Sequence, residues 1–489
     1  MFSFMPARDT SVVILAAGKG TRLRSDLAKV LHRAGGRPLL ETVIRACRPL
    51  GAAQMLVVVG HQADEVTALA ESLGAETILQ NPQRGTGHAM QIARRAIRKG
   101  AKLAVVLPGD APLLRTETLA ALVDTHRRGE AAATILSAEL ADPGSYGRIV
   151  RDAEGRVLAI VEDSALSSEQ RVIREVNSAI YCFTLEKLWP CLALLRPQNA
   201  HRELYLTDVI ALLRERRERV LAEVASDANE VLGCNTRADL AGADRVLRSR
   251  KAAELMSAGT TIYFPESVVI DPEVTAGADT VIEQGVQLLG STRLGARCQI
   301  RTGCVLHNTR VDDGAIVGPH TNSIDSRIGE GAHVGPFARL RPGADIRAHA
   351  HIGNFVEVTK TVIHEGAKAQ HLTYLGDATV GAGANIGAGT ITCNYDGVAK
   401  YETKIGKGVF IGSDTALVAP VRVGDGAYVA AGSVITDNVP PDALAVARGR
   451  QVNKSGWARA RRRELGAKKP SRKPKRSKSA RRSRSRRKR

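Results

Sequence analysis

Residues 405–435, IGKGVFIGSDTALVAPVRVGDGAYVAAGSVI, place an aliphatic side chain at every sixth position: Ile405, Ile411, Leu417, Val423, Val429 and Ile435. An amphipathic helix repeats about every 3.6 residues and a half-buried strand about every 2, and neither produces this spacing. The same step runs through Ile270, Ala276, Ile282, Leu288, Leu294, Ile300 and Leu306. It returns through Ile328, Val334, Leu340, Ile346 and Ile352. Glycine often follows the aliphatic residue, as at Gly329, Gly353 and Gly412. A hexapeptide repeat predicts a parallel β-helix in which three repeats close one triangular coil. The aliphatic side chains then fill a narrow prism, and small residues and glycines take the corners. An aromatic content of 3% suits so narrow an interior.

Working outward, the repeat occupies roughly residues 264–437. Ahead of it, residues 236–256 are polar and helix-favouring and read as a connecting helix. Residues 1–235 alternate apolar runs with amphipathic ones. Strands are expected at 12–18, 55–60, 76–80 and 103–110, and helices at 39–50, 64–73 and 88–99. This rhythm predicts a mostly parallel sheet with helices on both faces, a Rossmann-like α/β domain. Ligands of such sheets sit beyond the carboxyl ends of the strands. The division expected is therefore 1–235, a linker helix 236–256, a β-helix 257–457, and a basic tail 458–489.

Bulk properties narrow the function. A length of 489 residues implies more than one core. No apolar run approaches the roughly 18 residues of a membrane span. The N-terminus lacks the basic start and small-residue cleavage site of a signal peptide. Seven cysteines, at 47, 182, 191, 234, 298, 304 and 393, form no CxxC pair. An odd, scattered set argues for free thiols in a reducing cytoplasm. The net charge of +20 suggests nucleic acid until it is located. From Arg459 to Arg489 there are 18 Lys/Arg and one acid, Glu464, a net +17. The other residues hold 52 Lys/Arg and 49 Asp/Glu, or +3. The tail cannot bury a core and is expected to be disordered. It is either a solvated extension or a contact for polyanions.

The first expected strand ends in Leu15, Ala16, Ala17 and Gly18, then Lys19-Gly20-Thr21-Arg22, with Lys29 further on. Glycines let backbone amides approach a phosphate, and Arg22 and Lys29 can neutralise a triphosphate. The spacing of a Walker A loop is missing. The string resembles the signature of sugar-phosphate nucleotidyltransferases, and further pieces follow that likeness. Gln80 with Gly85-Thr86-Gly87-His88 looks like a uracil-reading loop. Asp110, after Pro108 and Gly109, would by itself pass as a helix N-cap. The resemblance makes it a Mg²⁺ ligand, with Asn235 as the second. Asn235 alone reads as a turn or cap residue. Sugar contacts carry over as Gly147, Glu162 and Asn177.

In the repeat, polar residues cluster where a structural coil prefers small ones: AQHLTYLGD (369–377), NIGAGT (385–390) and TCNYDG (392–397). Acyl transfer to an amine needs a base near neutral pKa, which suits His371, although a lone histidine on a coil is more often an exposed structural residue. These strings closely resemble the acetyltransferase half of the bifunctional UDP-N-acetylglucosamine pyrophosphorylase/glucosamine-1-phosphate N-acetyltransferase family, over about residues 10–457. The resemblance implies a left-handed β-helix, a homotrimer with clefts between neighbours, and His371 as general base. It implies that Arg341, Thr359, Tyr374 and Asn385 hold glucosamine 1-phosphate, and that Ala388, Asn394, Tyr395, Ser413, Ala431 and Arg448 line an acetyl-CoA cleft. The implied substrates are UTP, acetyl-CoA, glucosamine 1-phosphate and N-acetylglucosamine 1-phosphate. The product would feed peptidoglycan and lipopolysaccharide synthesis.

Three departures from the family pattern stand out. Ala28 replaces a proline, Ser164 a lysine, and Thr359 a lysine that would join Arg341 at the phosphate. Lys360 is adjacent to Thr359, but neighbouring side chains on a strand face opposite ways. Two other readings share these modules: a single-activity pyrophosphorylase with a regulatory β-helix, and a non-catalytic scaffold. The first lacks HLTYLGD and NYDG, and the second has no need of Arg22, Lys29, Asp110 and His371 together.

Overall fold

The structure, a computed structural model, describes residues 7–197 and 202–467. The N-terminal sheet runs in the order Val220–Val224, Ala133–Glu139, Glu175–Thr184, Leu103–Pro108, Thr10–Ala16, Gln54–Val59, Glu76–Leu79, with a side hairpin of Arg148–Arg151 and Val157–Val161. Alternation along each strand supplies two cores. Val12, Ile14, Val57, Val59, Val105 and Leu107 pack under the helices Leu39–Cys47, Ala63–Ser72 and Thr116–Arg128. Val13, Leu56, Val58, Ala104 and Val106 pack under Thr86–Ala93, Leu185–Leu192 and Asp208–Glu215. A sheet covered on both faces is thereby buried through its thickness.

One expectation holds with an addition and one needs correction here. The sheet is mostly parallel, as expected, and a single strand, Glu175–Thr184, runs antiparallel between Leu103–Pro108 and Ala133–Glu139. The helix expected at 88–99 ends at Ala93. Buried Gln54 is the reason: its amide donates to the Ala96 carbonyl at 2.9 Å and its oxygen accepts from the Arg98 N–H at 3.1 Å. Those tertiary bonds draw the backbone off the helical path.

The connecting helix spans Arg237–Ser257, opened by a capping box between Thr236 and Asp239. Its first half buries Ala243 in a cluster with Ala34, Leu39 and Leu113, and its second half buries Ala252 and Leu255 in the β-helix core. It is thus packed against both halves.

From Thr261 to Ala445 the chain coils in short parallel strands. Ile270 pairs with Leu288, Leu288 with Leu306, and Ile282 with Ile300, so each coil lies in register on the one before it. The sixth-position side chains form one continuous core from Ile270 to Ile435. The sequence shows several registers because some corners are one residue short: inward positions step by five from Leu306 to Val311, Ser323 to Ile328, Val358 to Ile363 and Leu375 to Val380. Each short corner holds a left-handed residue: Asn308, Asp325, Lys360 and Asp377, at φ 48°, 45°, 45° and 46°. A further break comes after Thr392, where a loop lengthens one coil so that Val380 pairs with Ile405.

The tail corrects another expectation in part. Residues 458–467 are not disordered but belong to the helix Trp457–Ala467, where alanine, arginine and leucine favour helix and Arg461 pairs with Glu464 at 3.1 Å. The expectation for 468–489 lies outside the described residues.

Candidate functional site

The first candidate site lies where the sheet principle puts it, beyond the carboxyl ends of the central strands. Strand Thr10–Ala16 delivers the loop that holds Ala17 and Gly18, and Gly20 turns it at φ 62°. A Cβ on Gly20 would stand 2.6 Å from the Lys29 side chain, so the turn both needs glycine and sets Lys29 in place. Strand Leu103–Pro108 delivers Gly109 and Asp110; the Gly109 N–H bonds the Leu15 carbonyl at 2.9 Å and ties the two loops together. Asp110 caps no helix, since the next one begins at Thr116. Its carboxylate pairs with the Lys29 ammonium. Asn235 is likewise no cap, because Thr236 fills that position. Its side-chain oxygen accepts from Lys29 Nζ and from an Arg22 guanidinium nitrogen, each at 2.8 Å. Residues 22, 29, 110 and 235, far apart in sequence, therefore share one cluster.

Beside this cluster a cleft of about 430 Å³ is lined by Leu15, Arg22, Thr86, Gly147, Glu162, Asn177 and Asn235, all singled out by sequence. Gln80 is buried next to the Thr86 loop, its amide donating to the Gly85 carbonyl at 3.0 Å. Gly85 sits at φ 95° against the backbone of Leu204, where a side chain has no room. Burial is the main cause that raises the Glu162 carboxyl above its ordinary value, and Asp208 adds to it, while the Thr207 hydroxyl opposes it from 3.2 Å. Ser164, exposed on the short turn that follows, carries no compensating charge. The sequence reading missed Tyr146, Ser178, Tyr205 and Thr207 on the same walls. The string Tyr205-Leu206-Thr207-Asp208 was visible, but only the contact of Thr207 with Glu162 gives it meaning.

The second candidate site follows one corner of the prism. The His371 carbonyl accepts from the Gly389 N–H at 3.4 Å, Ala388 bonds Asp414, Ser413 bonds Gly432, and Arg448 donates to the Ala431 carbonyl at 2.7 Å. His371, Ala388, Ser413, Ala431 and Arg448 thus mark successive coils along a single edge. Asn394 and Tyr395 sit in the loop that lengthens one coil; Asn394 donates to Asp377 at 2.6 Å and Tyr395 to the Gly397 carbonyl at 2.6 Å. Just past the corner, Tyr374 pairs in register with Glu357, and Gly376 with Thr359. Arg339 pairs with Glu357 one coil below, which sets Arg341 beneath Thr359, and Arg341 donates to Glu357 at 2.9 Å. Lys360 is an exposed, left-handed corner residue over Gly343, turned out of the row that holds Arg341 and Thr359.

One predicted set is divided between two sheets of the prism. Arg341, Thr359 and Tyr374 belong to one sheet, whereas Asn385 belongs to the next, in register with Lys368. Most cysteines are buried, and burial pushes the thiols of Cys47 and Cys234 up to about 12, which makes them unreactive. No helix among the described residues is long and apolar enough to cross a membrane.

Comparison with known proteins agrees with this geometry. The profile of the MobA-like NTP transferase domain matches residues 12–180, and that of the bacterial transferase hexapeptide matches residues 402–437. The bifunctional protein GlmU of Koribacter versatilis is 49% identical over 467 residues, covering 94% of this chain and 99% of that protein. The GlmU proteins of Trichlorobacter lovleyi and Sorangium cellulosum are 47% and 48% identical, each across 92% of this chain and 98% and 96% of their own lengths. With both modules in the same order and the likeness running through the repeat, the loop insertion and the strand-end cluster, the chain belongs to the bifunctional GlmU family.

Proposed function

We propose that the C-terminal half acetylates glucosamine 1-phosphate with acetyl-CoA, and that the N-terminal half then transfers UMP from UTP to N-acetylglucosamine 1-phosphate, releasing pyrophosphate. Family membership makes the chain a bifunctional enzyme of UDP-N-acetylglucosamine synthesis, a nucleotidyltransferase and an acyltransferase in one polypeptide. The observation that carries the assignment of residues is the gathering of Arg22, Lys29, Asp110 and Asn235 at the strand ends, apart from the His371 edge.

In acetyl transfer, His371 takes a proton from the amine of glucosamine 1-phosphate. The freed nitrogen pair attacks the thioester carbonyl carbon, the C–S bond breaks, and coenzyme A leaves as a thiolate that takes the proton from the His371 imidazolium. Arg341 grips the sugar phosphate, which a guanidinium holds bidentately. In uridylyl transfer, a phosphate oxygen of N-acetylglucosamine 1-phosphate attacks the α-phosphorus of UTP and pyrophosphate departs. Arg22 and Lys29 neutralise charge on the triphosphate, while Gly147, Glu162 and Asn177 orient the sugar. The family's divalent metal is assigned to Mg²⁺ at Asp110 and Asn235. Lys29 Nζ touches both side chains, so their oxygens already surround one cation position, and hard oxygen donors suit magnesium. When bound, the ion neutralises phosphate charge.

A homotrimer is part of this reading. Asn385 and the Arg341–Tyr374 row lie on different sheets of the prism, and a cleft closed by a second copy would let them face one ligand; the number three comes from the resemblance. The basic segment 459–489 is assigned to a polyanion contact outside both reactions. Supplying all substrates with Mg²⁺ and following thiol and pyrophosphate separately tests the scheme. His371→Ala should stop thiol release alone. Asp110→Ala should stop pyrophosphate release alone when N-acetylglucosamine 1-phosphate is supplied. Loss of both activities in either variant would sink the division of labour.

A further inference from the structure

We infer that His88 is a specificity-determining positioning residue: with the Gly85 carbonyl, its Nδ1 lone pair fixes the Gln80 amide so that the site accepts uracil and refuses cytosine. Gln80 follows strand Glu76–Leu79, its N–H bonded to the Val59 carbonyl at 2.8 Å, and the residue is only 4% exposed. An amide side chain has two ends of similar shape, and its partners decide which one faces a ligand. One end of Gln80 lies 3.0 Å from the Gly85 carbonyl and 3.2 Å from His88 Nδ1. A carbonyl can only accept, so that end is the NH₂ group. One hydrogen goes to Gly85 and the other to His88. Nδ1 is then the acceptor, and the ring proton sits on Nε2. Among the described residues nothing donates to the other end, Oε1. Both amide donors are spent inside the protein, and the acceptor is left for a ligand.

The surroundings hold this arrangement. Gly85 is the N-cap of helix Thr86–Ala93, and its carbonyl also accepts the Ala89 N–H at 3.1 Å, which fixes its direction. The loop is tied to a neighbouring segment. The Leu204 N–H bonds the Arg84 carbonyl at 2.9 Å, the Gly87 N–H bonds the Leu204 carbonyl at 2.8 Å, and the Leu206 N–H bonds the Thr86 hydroxyl at 3.0 Å. His88 lies half-buried in the first turn of the helix, where the positive end of the helix dipole opposes an imidazolium. Burial first, then Arg84 and Arg95, lower its pKa, so the ring keeps a free lone pair at neutral pH. Uracil offers an N–H at its N3 position, whereas cytosine offers a lone pair there. Oε1 pairs with the first and repels the second, and a polar group left unpaired by the wrong ligand discriminates well. An amide turned end for end would reverse the choice, but it would set Oε1 against the Gly85 carbonyl and the His88 lone pair. The inference rests on the reading of Gln80 as the uracil contact, and adds the residue that gives this contact its sense.

The test follows pyrophosphate release by the full chain from N-acetylglucosamine 1-phosphate with either UTP or CTP, and uses acetyl transfer as a check on folding. In His88→Leu the KM for UTP should rise about tenfold, the scale of one lost hydrogen bond, while kcat changes less. The preference for UTP over CTP in kcat/KM should fall by a similar factor. His88→Asn, whose side-chain oxygen can accept in place of Nδ1, should restore most of that preference. In the unaltered chain, nitrogen NMR of His88, assigned by its loss in His88→Asn, should show a proton on Nε2 and none on Nδ1 at neutral pH. A protonated Nδ1, or a His88→Asn variant as unselective as His88→Leu, would overturn the inference. So would an unchanged preference in His88→Leu where Gln80→Met loses it, a result that leaves Gln80 standing as the base contact. If Gln80→Met keeps the preference, the uracil reading of Gln80 falls, and the inference falls with it.

Discussion

The two halves bury polar groups in different ways. Inside the α/β half are groups that titrate or carry networks: His126 between the hydroxyls of Thr134 and Thr184 at 3.0 Å each, Gln54 bridging three segments, Glu230 accepting from Thr118, and Glu162 in the cleft wall. Inside the β-helix, the buried polar residues are nearly all Thr and Ser, and hydroxyls such as those of Thr292, Thr361 and Thr415 donate to carbonyls of their own or adjoining coils. A repeated rung offers each inward position the same surroundings, so it selects small neutral groups. A doubly covered sheet has unique neighbours at every position and can hold charge where chemistry needs it. The candidate residues of the first half are thereby gathered around one cleft, whereas those of the second are spread over an outer edge and two faces.

The largest expected effect separates the halves outright. Lys29→Met should slow uridylyl transfer by about 10²–10³-fold, the scale of losing one preorganised charge contact. Acetyl transfer should stay intact. The same change should tighten divalent-ion binding in a titration without nucleotide, because Lys29 no longer competes for Asp110 and Asn235. Next comes a core test. Leu340→Ala, at a fully buried position, should cost about 2–5 kcal/mol and lower the melting of the β-helix. If the pyrophosphorylase activity melts with it, the helix Arg237–Ser257 couples the halves more tightly than their separate cores suggest.

Acid should act mainly on the first half. Burial, with help from Arg127, lowers the His126 pKa to about 4. Between that value and the ordinary 6.5 the unfolded chain binds the extra proton, so stability is full above about pH 6.5 and is lost as pH falls toward 4, by up to about 3 kcal/mol. Unfolding curves of the native chain and His126→Gln across that range should diverge at neutral pH and converge in acid. Thr359→Lys should lower the KM for glucosamine 1-phosphate about tenfold, the scale of one charge-assisted hydrogen bond, with little change in kcat. An unchanged KM would mean that Arg341 alone holds the phosphate. The smallest effect belongs to Glu162, whose carboxyl is raised. The folded state favours its protonated form, so stability declines as pH climbs past the ordinary carboxylate range. Glu162→Gln should remove that decline in melting curves while weakening the sugar complex.

How much could be read in advance differs between the halves for the same reason. Ile405 to Ile435 announced the β-helix because each side chain's environment depends only on its place in the repeat. Asp110 and Asn235 were ambiguous as residues, each a plausible cap, and became a cluster only when folding set them around Lys29. Thr207 carried no signal at all, since its meaning is its contact with Glu162. The early end of the helix at Ala93 was hidden too, because a buried Gln54 from another strand imposes it.

Sequence by itself determined the period, the two-module order, the location of the positive charge and the motif strings, all of which are local or repetitive. Tertiary structure decided what depends on groups distant along the chain. It set one strand of the N-terminal sheet antiparallel, joined residues 22, 29, 110 and 235, divided Asn385 from Arg341, and turned Lys360 away from the Thr359 row. Spacing along a chain fixes which face a side chain takes, but only packing fixes what that face meets.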